Sequence, residues 1–65
     1  MRIKVNGVWA QLEVRTVADV LMHYGMERKR VVVEANGIIV DSELWETTPV
    51  ADGTVLEIVH FVGGG

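Results

Sequence analysis

The chain has 65 residues and a formal net charge of -3, from nine carboxylates against six lysines and arginines. A chain of this length forms one small domain, which hides only about 60% of the surface that its unfolded form exposes and therefore needs a dense core. Hydrophobic residues make up 49% of the sequence, which excludes an intrinsically disordered chain. The absence of cysteine excludes disulfide scaffolds and thiolate metal sites, and the acidic balance argues against nucleic acid as a partner.

Neither a membrane-spanning segment nor a secretory signal is expected. The longest aliphatic runs, 31–33 and 38–40, are far shorter than the roughly 18 apolar residues of a membrane span. Asn6 and Gly7 interrupt the N-terminus before an apolar stretch of signal-peptide length forms. We therefore expect a cytoplasmic protein that does not bind membranes, and a binding module or carrier in preference to an enzyme.

A β-hairpin is predicted for the first fourteen residues. Strands at 1–5 and 8–14 flank Asn6-Gly7, the residue pair that best supports the two positive φ values of a two-residue turn. The register set by this turn places Trp9 on the polar face of the hairpin. It places six apolar residues together on the other face: Met1, Ile3, Val5, Val8, Ala10 and Leu12.

A short helix is predicted next, between Thr16 and Gly25. Thr16 and Asp19 have the spacing of a capping box, and Gly25 is suited to a left-handed C-cap. Because two to three turns are not stable alone, the helix must pack on a sheet. The helical spacing of four residues predicts the buried face: Val17, Val20, Leu21 and Tyr24.

Three further strands are predicted, at 31–35, 38–40 and 54–62. Asn36-Gly37 joins the first two as a second two-residue turn, and residues 41–45 form a single helical turn. The order β-β-α-β-β-β predicts an α+β fold of β-grasp type, in which a mixed five-stranded sheet packs on one helix. In this fold the first and last strands are adjacent and parallel at the centre of the sheet.

Other folds fit the pattern less well. A ferredoxin-like fold needs a second helix, and an all-β barrel needs residues 16–25 to form a strand. We expect residues 1–62 to form the single β-grasp domain and residues 63–65 to be a flexible C-terminal glycine tail.

Conventional catalytic and metal-binding patterns are not found in the sequence. His23 and His60 lie 37 positions apart and do not have the spacing of metal ligands, so we interpret each as an ordinary surface or strand residue. The carboxylates are scattered and include no obvious acid–base pair. The Asn-Gly pairs are turns and not phosphate-binding loops, because neither opens a helix.

The glycines Gly63, Gly64 and Gly65 follow directly after a strong apolar strand. A frayed terminus or an expression remnant is the simplest explanation, although glycine linkers usually carry serine or a tag residue. A functional explanation is that a glycine end, without side chains, threads into a narrow slot with its carboxylate leading. Three residues reach roughly 10 Å beyond the fold. Because a carboxylate is a poor electrophile, a separate ATP-using enzyme must activate it.

A docking surface is predicted beside this tail. Alternation along the last strand turns Glu57, and with it Val59 and Phe61, to the solvent-facing side of the sheet. The same alternation in the strand at 31–35 places Val32 on the solvent-facing side, and the hairpin register places Trp9 there as well. We predict that the four apolar residues form an exposed patch of the kind that marks interfaces; scattered exposed apolar residues are the alternative.

The chain resembles the ThiS family, ubiquitin-like sulfur carriers of thiamine biosynthesis, over essentially its whole length. Gly63 is an additional glycine beside the minimal Gly-Gly end of such carriers. Four segments carry the resemblance: Val5-Asn6-Gly7, residues 33–37, Asp52-Gly53, and residues 57–65, which read EIVHFVGGG.

The resemblance implies a protein co-substrate and not an enzyme. An E1-like adenylyltransferase of the ThiF type would use ATP and Mg²⁺ to convert the Gly65 carboxylate into an acyl-adenylate, and would recognise Gly63 and Gly64. Sulfur from a donor such as a cysteine desulfurase would displace AMP and leave a thiocarboxylate for a ThiG-type thiazole synthase. The carrier would bind no permanent cofactor or metal, and it would be a monomer when free.

Other functions of the same fold stay open. The small subunit of molybdopterin synthase shares the fold, the diglycine end and the thiocarboxylate. A ubiquitin-like protein modifier and a tRNA-thiolation carrier have the same shape, and a plain interaction domain would make no use of its glycines.

Overall fold

A computed structural model describes residues 1–61 of the chain, so the predictions for Val62 and for the tail at 63–65 lie outside the described residues. Within residues 1–61, no helix is long and apolar enough to span a membrane. The elements in chain order are β1 (Arg2–Val5), β2 (Val8–Gln11), α1 (Val17–His23), β3 (Val31–Ala35), β4 (Ile38–Val40), a 3-10 turn (Ser42–Leu44) and β5 (Val55–His60).

The five strands form one sheet in the order β2-β1-β5-β3-β4. β5 runs parallel to β1 and antiparallel to β3, and the two remaining contacts are hairpins. The first and last strands are therefore adjacent and parallel in the interior of the sheet, which confirms the predicted β-grasp arrangement.

Both hairpins turn on an Asn-Gly pair, as predicted. The φ values are 49° and 82° at Asn6-Gly7, and 50° and 85° at Asn36-Gly37. Two consecutive positive φ values define the tight turn whose twist matches that of the flanking strands. The predicted register of the first hairpin is also confirmed, since Ile3 lies opposite Ala10.

The helix α1 has the predicted caps. The Thr16 hydroxyl accepts a hydrogen bond from the Asp19 N–H at 3.2 Å, and the Asp19 carboxylate accepts one from the Thr16 N–H at 3.1 Å, which completes the capping box. After the helix, Gly25 has a φ of 70° and the Met26 N–H donates to the Leu21 carbonyl at 2.7 Å. This bond is typical of a Schellman motif.

The core lies between α1 and the face of the sheet that α1 covers. Leu56 of β5 and Ile3 of β1 are completely buried at its centre, as the alternation of each strand predicts. Ten buried apolar residues form the core: Ile3, Val5, Leu12, Val14, Val17, Val20, Leu21, Val33, Val50 and Leu56.

The first two strands are shorter than the predicted ranges 1–5 and 8–14. β1 begins at Arg2 and β2 ends at Gln11. The Leu12 N–H still donates to the Met1 carbonyl at 2.8 Å, although Leu12 lies beyond the end of β2. The chain then leaves the sheet and buries Leu12 in the core.

The last strand also begins later than predicted, at Val55 and not at residue 54. Thr54 belongs to the preceding turn, because its N–H donates to the Ala51 carbonyl at 3.0 Å and its hydroxyl accepts from the Ala51 N–H at 2.9 Å. The turn residue nevertheless reaches β1, since the Thr54 carbonyl accepts from the Lys4 N–H at 3.0 Å.

Two residues predicted on the buried side are exposed. Tyr24 is 40% exposed and Val8 is 67% exposed. Tyr24 is the C-cap residue of α1, so the helical spacing no longer determines its direction. Val8 begins β2, an edge strand, and a helix of seven residues is too short to cover this corner of the sheet.

The helical turn predicted at 41–45 is a 3-10 turn at Ser42–Leu44. Asp41 is its N-cap residue, but the Asp41 side chain makes no capping hydrogen bond. Trp45 follows the turn, packs half-buried against the core, and donates its Nε1–H to the Val40 carbonyl at 2.9 Å. This bond fixes the indole where β4 leaves the sheet.

The capping box gives the stability of the domain a dependence on acid pH. The N–H groups of Arg15 and Thr16 donate to the Asp19 carboxylate at 2.9 and 3.1 Å. These bonds lower the pKa of Asp19 below its usual value of 3.8, and the bond from Arg15 has the largest effect. A carboxylate with a lowered folded-state pKa contributes its full stability above the unfolded-state pKa, and that contribution is lost as the pH falls through the folded-state pKa.

We therefore expect the free energy of unfolding to decrease as the pH is lowered below 3.8. The decrease should be less steep in the Asp19→Asn variant, because this side chain cannot titrate. Urea unfolding at a series of pH values measures both slopes. Asp41→Asn is the matched control, because the Asp41 side chain makes no capping hydrogen bond. Equal slopes in the wild type and Asp19→Asn would contradict the assignment.

Candidate functional site

The end of β5 is the candidate functional site, because the chain continues from it into the glycines on which the predicted chemistry depends. Gly63, Gly64 and Gly65 themselves lie outside the described residues. On the β3 side, His60 is paired with Val31. The Phe61 N–H then donates to the Arg30 carbonyl at 2.9 Å, so β3 and the residue before it hold the chain up to the last described residue.

On the β1 side, the side chain of Asn6 holds β5. Its Oδ1 accepts a hydrogen bond from the Ile58 N–H at 2.7 Å, and its Nδ2 donates to the Ile58 carbonyl at 3.1 Å. The backbone pairing of the two strands ends at Val5 and Leu56, and the Asn6 N–H makes a further bond to the Leu56 carbonyl at 2.9 Å. The side-chain amide therefore replaces the next backbone partner and extends the contact to Ile58.

Asn36 plays the same role at the other end of β5. Its Oδ1 accepts from the Val55 N–H at 2.9 Å, and its own N–H donates to the Val55 carbonyl at 2.8 Å. From the sequence, both asparagines are predicted only as turn residues. Asp or Gly also supports the positive φ of such a turn, but of these residues only Asn offers both a donor and an acceptor. Asn6 uses both groups on Ile58, and this difference is the signal for its second role, whereas Asn36 uses its acceptor on Val55.

The sheet face that points away from α1 carries the residues predicted to dock a partner. Val59 and Phe61 are 51% and 54% exposed, and they lie two residues apart on the same face of the chain. Val32 is half-buried and stands directly opposite Val59 in the β3–β5 register. We call Val32, Val59 and Phe61 the apolar strip; it ends where the described chain ends.

Trp9 lies on the same face but apart from the apolar strip. It stands opposite Lys4, which stands opposite Val55, so Trp9 is two strands away from β5. Val59 lies four residues beyond Val55 in β5, which is about 13 Å at about 3.3 Å per residue. The Arg2 guanidinium carbon and the Lys4 Nζ lie 4.3 and 5.8 Å from the Trp9 ring centroid, which are cation–π distances. The predicted four-residue patch is therefore divided in two.

Two glutamates border the strip on the side of Val55. Glu57 and Glu34 stand directly opposite each other in the β3–β5 register, between the strip and Val55. Like charges in this position repel each other, so this part of the outer face is unfavourable for a second acidic surface. Within residues 1–61, no group of three or more His, Cys, Asp or Glu residues is placed to hold a metal ion.

Comparisons with known proteins point to one family. The model of the ThiS family matches residues 3–65. The Sulfur carrier protein ThiS of Bacillus subtilis (strain 168) is 46% identical over 50 residues, which are 77% of this chain and 76% of that protein. A Thiazole synthase of Paramagnetospirillum magneticum (strain ATCC 700264 / AMB-1) is 36% identical over 66 positions, which cover all of this chain and 20% of that protein.

Solved structures agree with the sequence comparison. The crystal structure of the thiamine biosynthesis protein ThiS from Geobacter metallireducens superposes with a TM-score of 0.82 at 30% identity, over the whole of both chains. The NMR solution structure of a thiamine biosynthesis protein from the same organism gives a TM-score of 0.79 at 30% identity, over all of this chain and 88% of that one.

We expect the Asn6→Gly substitution to loosen the end of β5 without changing the turn, because Gly also supports a positive φ. The two lost hydrogen bonds contribute about 0.5–1.5 kcal/mol each, so the free energy of unfolding should fall by about 1–3 kcal/mol. Amide hydrogen exchange at Ile58 should become faster. In the matched control, Asn36→Gly, exchange should become faster at Val55 and stay slow at Ile58. Unchanged exchange at Ile58 in Asn6→Gly would show that the side-chain bonds do not hold the strand.

Proposed function

The chain belongs to the ThiS family of sulfur carriers, and we propose that its Gly65 carboxylate is the group that holds sulfur for thiamine biosynthesis. The observation that carries this proposal is the extent of the family match, which runs from residue 3 to residue 65 and so includes all three glycines. The identity of 46% to a protein named as a sulfur carrier supports the same conclusion.

Activation has to precede sulfur loading, because a carboxylate is a poor electrophile. We assign this step to a separate E1-like adenylyltransferase of the ThiF type that binds ATP and Mg²⁺. A Gly65 carboxylate oxygen attacks the α-phosphorus of ATP, pyrophosphate leaves, and an acyl-adenylate forms. The persulfide sulfur of a donor such as a cysteine desulfurase attacks the acyl carbon, and AMP leaves. A thiol then cleaves the sulfur–sulfur bond by exchange, which releases the thiocarboxylate on Gly65.

The contribution of the carrier itself is to position this carboxylate. The hydrogen bonds of Asn6 and Arg30 hold the chain up to Phe61. Four more residues reach at most about 14 Å when extended. Gly63 and Gly64 are the proposed recognition residues, because glycine lets the backbone pass through a slot that would exclude a side chain. The domain thus supplies recognition and the partner supplies catalysis.

We propose a thiazole synthase of the ThiG type as the acceptor of the sulfur. One protein named as a thiazole synthase includes a segment that is 36% identical to all of this chain and makes up 20% of its own length. A carrier-like segment in the same polypeptide as a synthase supports a direct encounter of the two, because tethering raises their effective concentration. Since activation consumes ATP, we propose that the carrier acts in the cytoplasm. We also propose that the free carrier is a monomer.

The apolar strip is the proposed contact surface for these partners. Val59 and Phe61 are both more than half exposed, and Val32 adjoins Val59 across the strands. Binding of a partner that covers exposed apolar side chains of this kind is favourable, because it removes apolar surface from water. Trp9 is proposed as a separate contact, because the register places it away from the strip.

Deletion of Gly64 and Gly65 is expected to abolish ATP–pyrophosphate exchange by the cognate adenylyltransferase. The free energy of unfolding should change by well under ~1 kcal/mol, as for surface changes generally. Addition of one residue after Gly65 should also abolish exchange, because it displaces the reacting carboxylate by roughly 3.5 Å, while reacting atoms have to lie within about 3–3.5 Å.

Full-length protein is the control for both variants, and equal exchange from all three proteins would refute the proposed role of Gly65. A second measurement tests the product itself. Intact mass spectrometry of the protein isolated from its own host should show the mass gain that results from replacing one oxygen by sulfur, and the tail-deleted protein should lack that gain.

Phe61→Asp is expected to weaken the encounter with the adenylyltransferase and to leave the chemical step intact. Truncating an interface anchor costs more than about 1 kcal/mol, so the KM for the carrier should rise by about tenfold while kcat stays near the wild-type value. Ile38→Asp is the matched control, because Ile38 is 71% exposed but stands opposite Ala35 at the far edge of the sheet. A lower kcat at an unchanged KM would contradict a docking role for Phe61.

A further inference from the structure

Three of the six lysines and arginines stand side by side next to the end of β5. Arg28, Lys29 and Arg30 lie in the connection between α1 and β3, and all three are exposed. They form the longest run of like charge in a chain whose net charge is -3. The position of this run beside the proposed tail, and not its size alone, makes it informative.

Backbone hydrogen bonds fix the run to the end of β5. The Phe61 N–H donates to the Arg30 carbonyl at 2.9 Å, and the Lys29 N–H donates to the Met26 carbonyl at 3.0 Å. Opposite residues of antiparallel strands have Cα atoms about 4.5–5.5 Å apart, so the Arg30 backbone lies directly beside Phe61. Lys29 and Arg28 precede Arg30 by one and two residues.

No hydrogen bond within residues 1–61 occupies these cations. Within the described part of the chain, the side chains of Arg28, Lys29 and Arg30 donate no hydrogen bond. By contrast, the cationic groups of Arg2 and Lys4 lie over an indole ring.

We propose that Arg28, Lys29 and Arg30 form a basic collar that docks on a rim of aspartates and glutamates around the tail slot of the adenylyltransferase. The inference rests on the proposed function, because a tail that enters a slot end-on has to arrive in one orientation. Complementary charges at an interface rim act on the rate and orientation of encounter. A cationic end on a protein of net negative charge turns that end, with the tail, toward an acidic rim.

The partner of the collar is a protein surface and not the triphosphate of ATP. In the proposed reaction ATP meets the carboxylate of Gly65, which is four residues beyond Phe61. When the tail is extended in the slot, its four residues place ATP up to about 14 Å beyond Phe61, deeper in the slot than the cations beside Phe61. The collar thus faces the entrance of the slot.

The test compares Arg28→Glu and Lys29→Glu with Arg15→Glu in ATP–pyrophosphate exchange by the cognate adenylyltransferase. All three substitutions change the net charge by the same amount, but Arg15 precedes the first turn of α1, at the opposite end of the helix from the collar. At low salt, the KM for the carrier should rise by about tenfold in each collar variant, at the lower end of the effects known for electrostatic steering. Neither kcat nor the KM for ATP should change.

Ionic strength supplies the second arm of the test. The difference between the collar variants and the wild type should disappear at about 1 M salt, where the Debye length is about 3 Å, against about 10 Å at 0.1 M. Thermal unfolding verifies that each variant is folded, and Arg28→Gln and Lys29→Gln replace any variant that is not. These neutral variants should raise the KM in the same direction by a smaller factor.

An equal rise of KM in Arg15→Glu would show that net charge acts without a localised collar, and would overturn the proposal. A rise in the KM for ATP would assign the cations to nucleotide phosphates instead. If the wild-type protein supports exchange and the collar variants have the same KM as the wild type, the collar is refuted and the proposed function still stands. Failure of the wild-type protein to support any exchange would overturn the proposed function together with it.

Discussion

The hydrogen bonds that hold β5 between β1 and β3 determine where the rest of the molecule lies. Parallel strands require a long crossover connection, and in this chain that connection includes α1, whose apolar face then covers the sheet. The crossover packs over Leu56, the completely buried residue of β5. Asn6 and Asn36 reinforce the same strand at its two ends. Because β5 leads directly to the glycines, every bond that fixes this strand also fixes the origin of the tail.

Alternation along β5 allows one strand to serve both the core and a binding face. Leu56 and Ile58 point to the helix and pack in or against the core, while Val59 is half exposed on the opposite side. A chain of 65 residues has few residues to spare for separate structural and functional elements. The apolar strip therefore needs no element of its own. It lies beside the tail because Val59 belongs to β5, the strand from which the tail continues.

Both turns and the helix caps could be predicted from the sequence, because each depends on residues that are close along the chain. The strand order could be predicted because the succession β-β-α-β-β-β is typical of the β-grasp fold. Asn6-Gly7 determines its own φ values, and Thr16 with Asp19 forms its own cap. The bonds from Asn6 to Ile58 could not be predicted in this way, since they require a third strand beside the hairpin. The separation of Trp9 from the strip depends on strand order and register together. The glycine tail predicted a carboxylate that needs activation, and the assignment of sulfur transfer to Gly65 came from family resemblance.

The side-chain amide of Asn6 also affects how the domain responds to force. A partner that pulls on the chain beyond Phe61 applies tension along the axis of β5. The bonds from β5 to its neighbours lie across that axis, so the tension loads them in shear and they share the load, whereas a peeling force would break them one after another. Asn6 adds two bonds to this set at Ile58, near the end of the strand where the tension enters. Tension along the axis of β5 is therefore resisted by all of these bonds together.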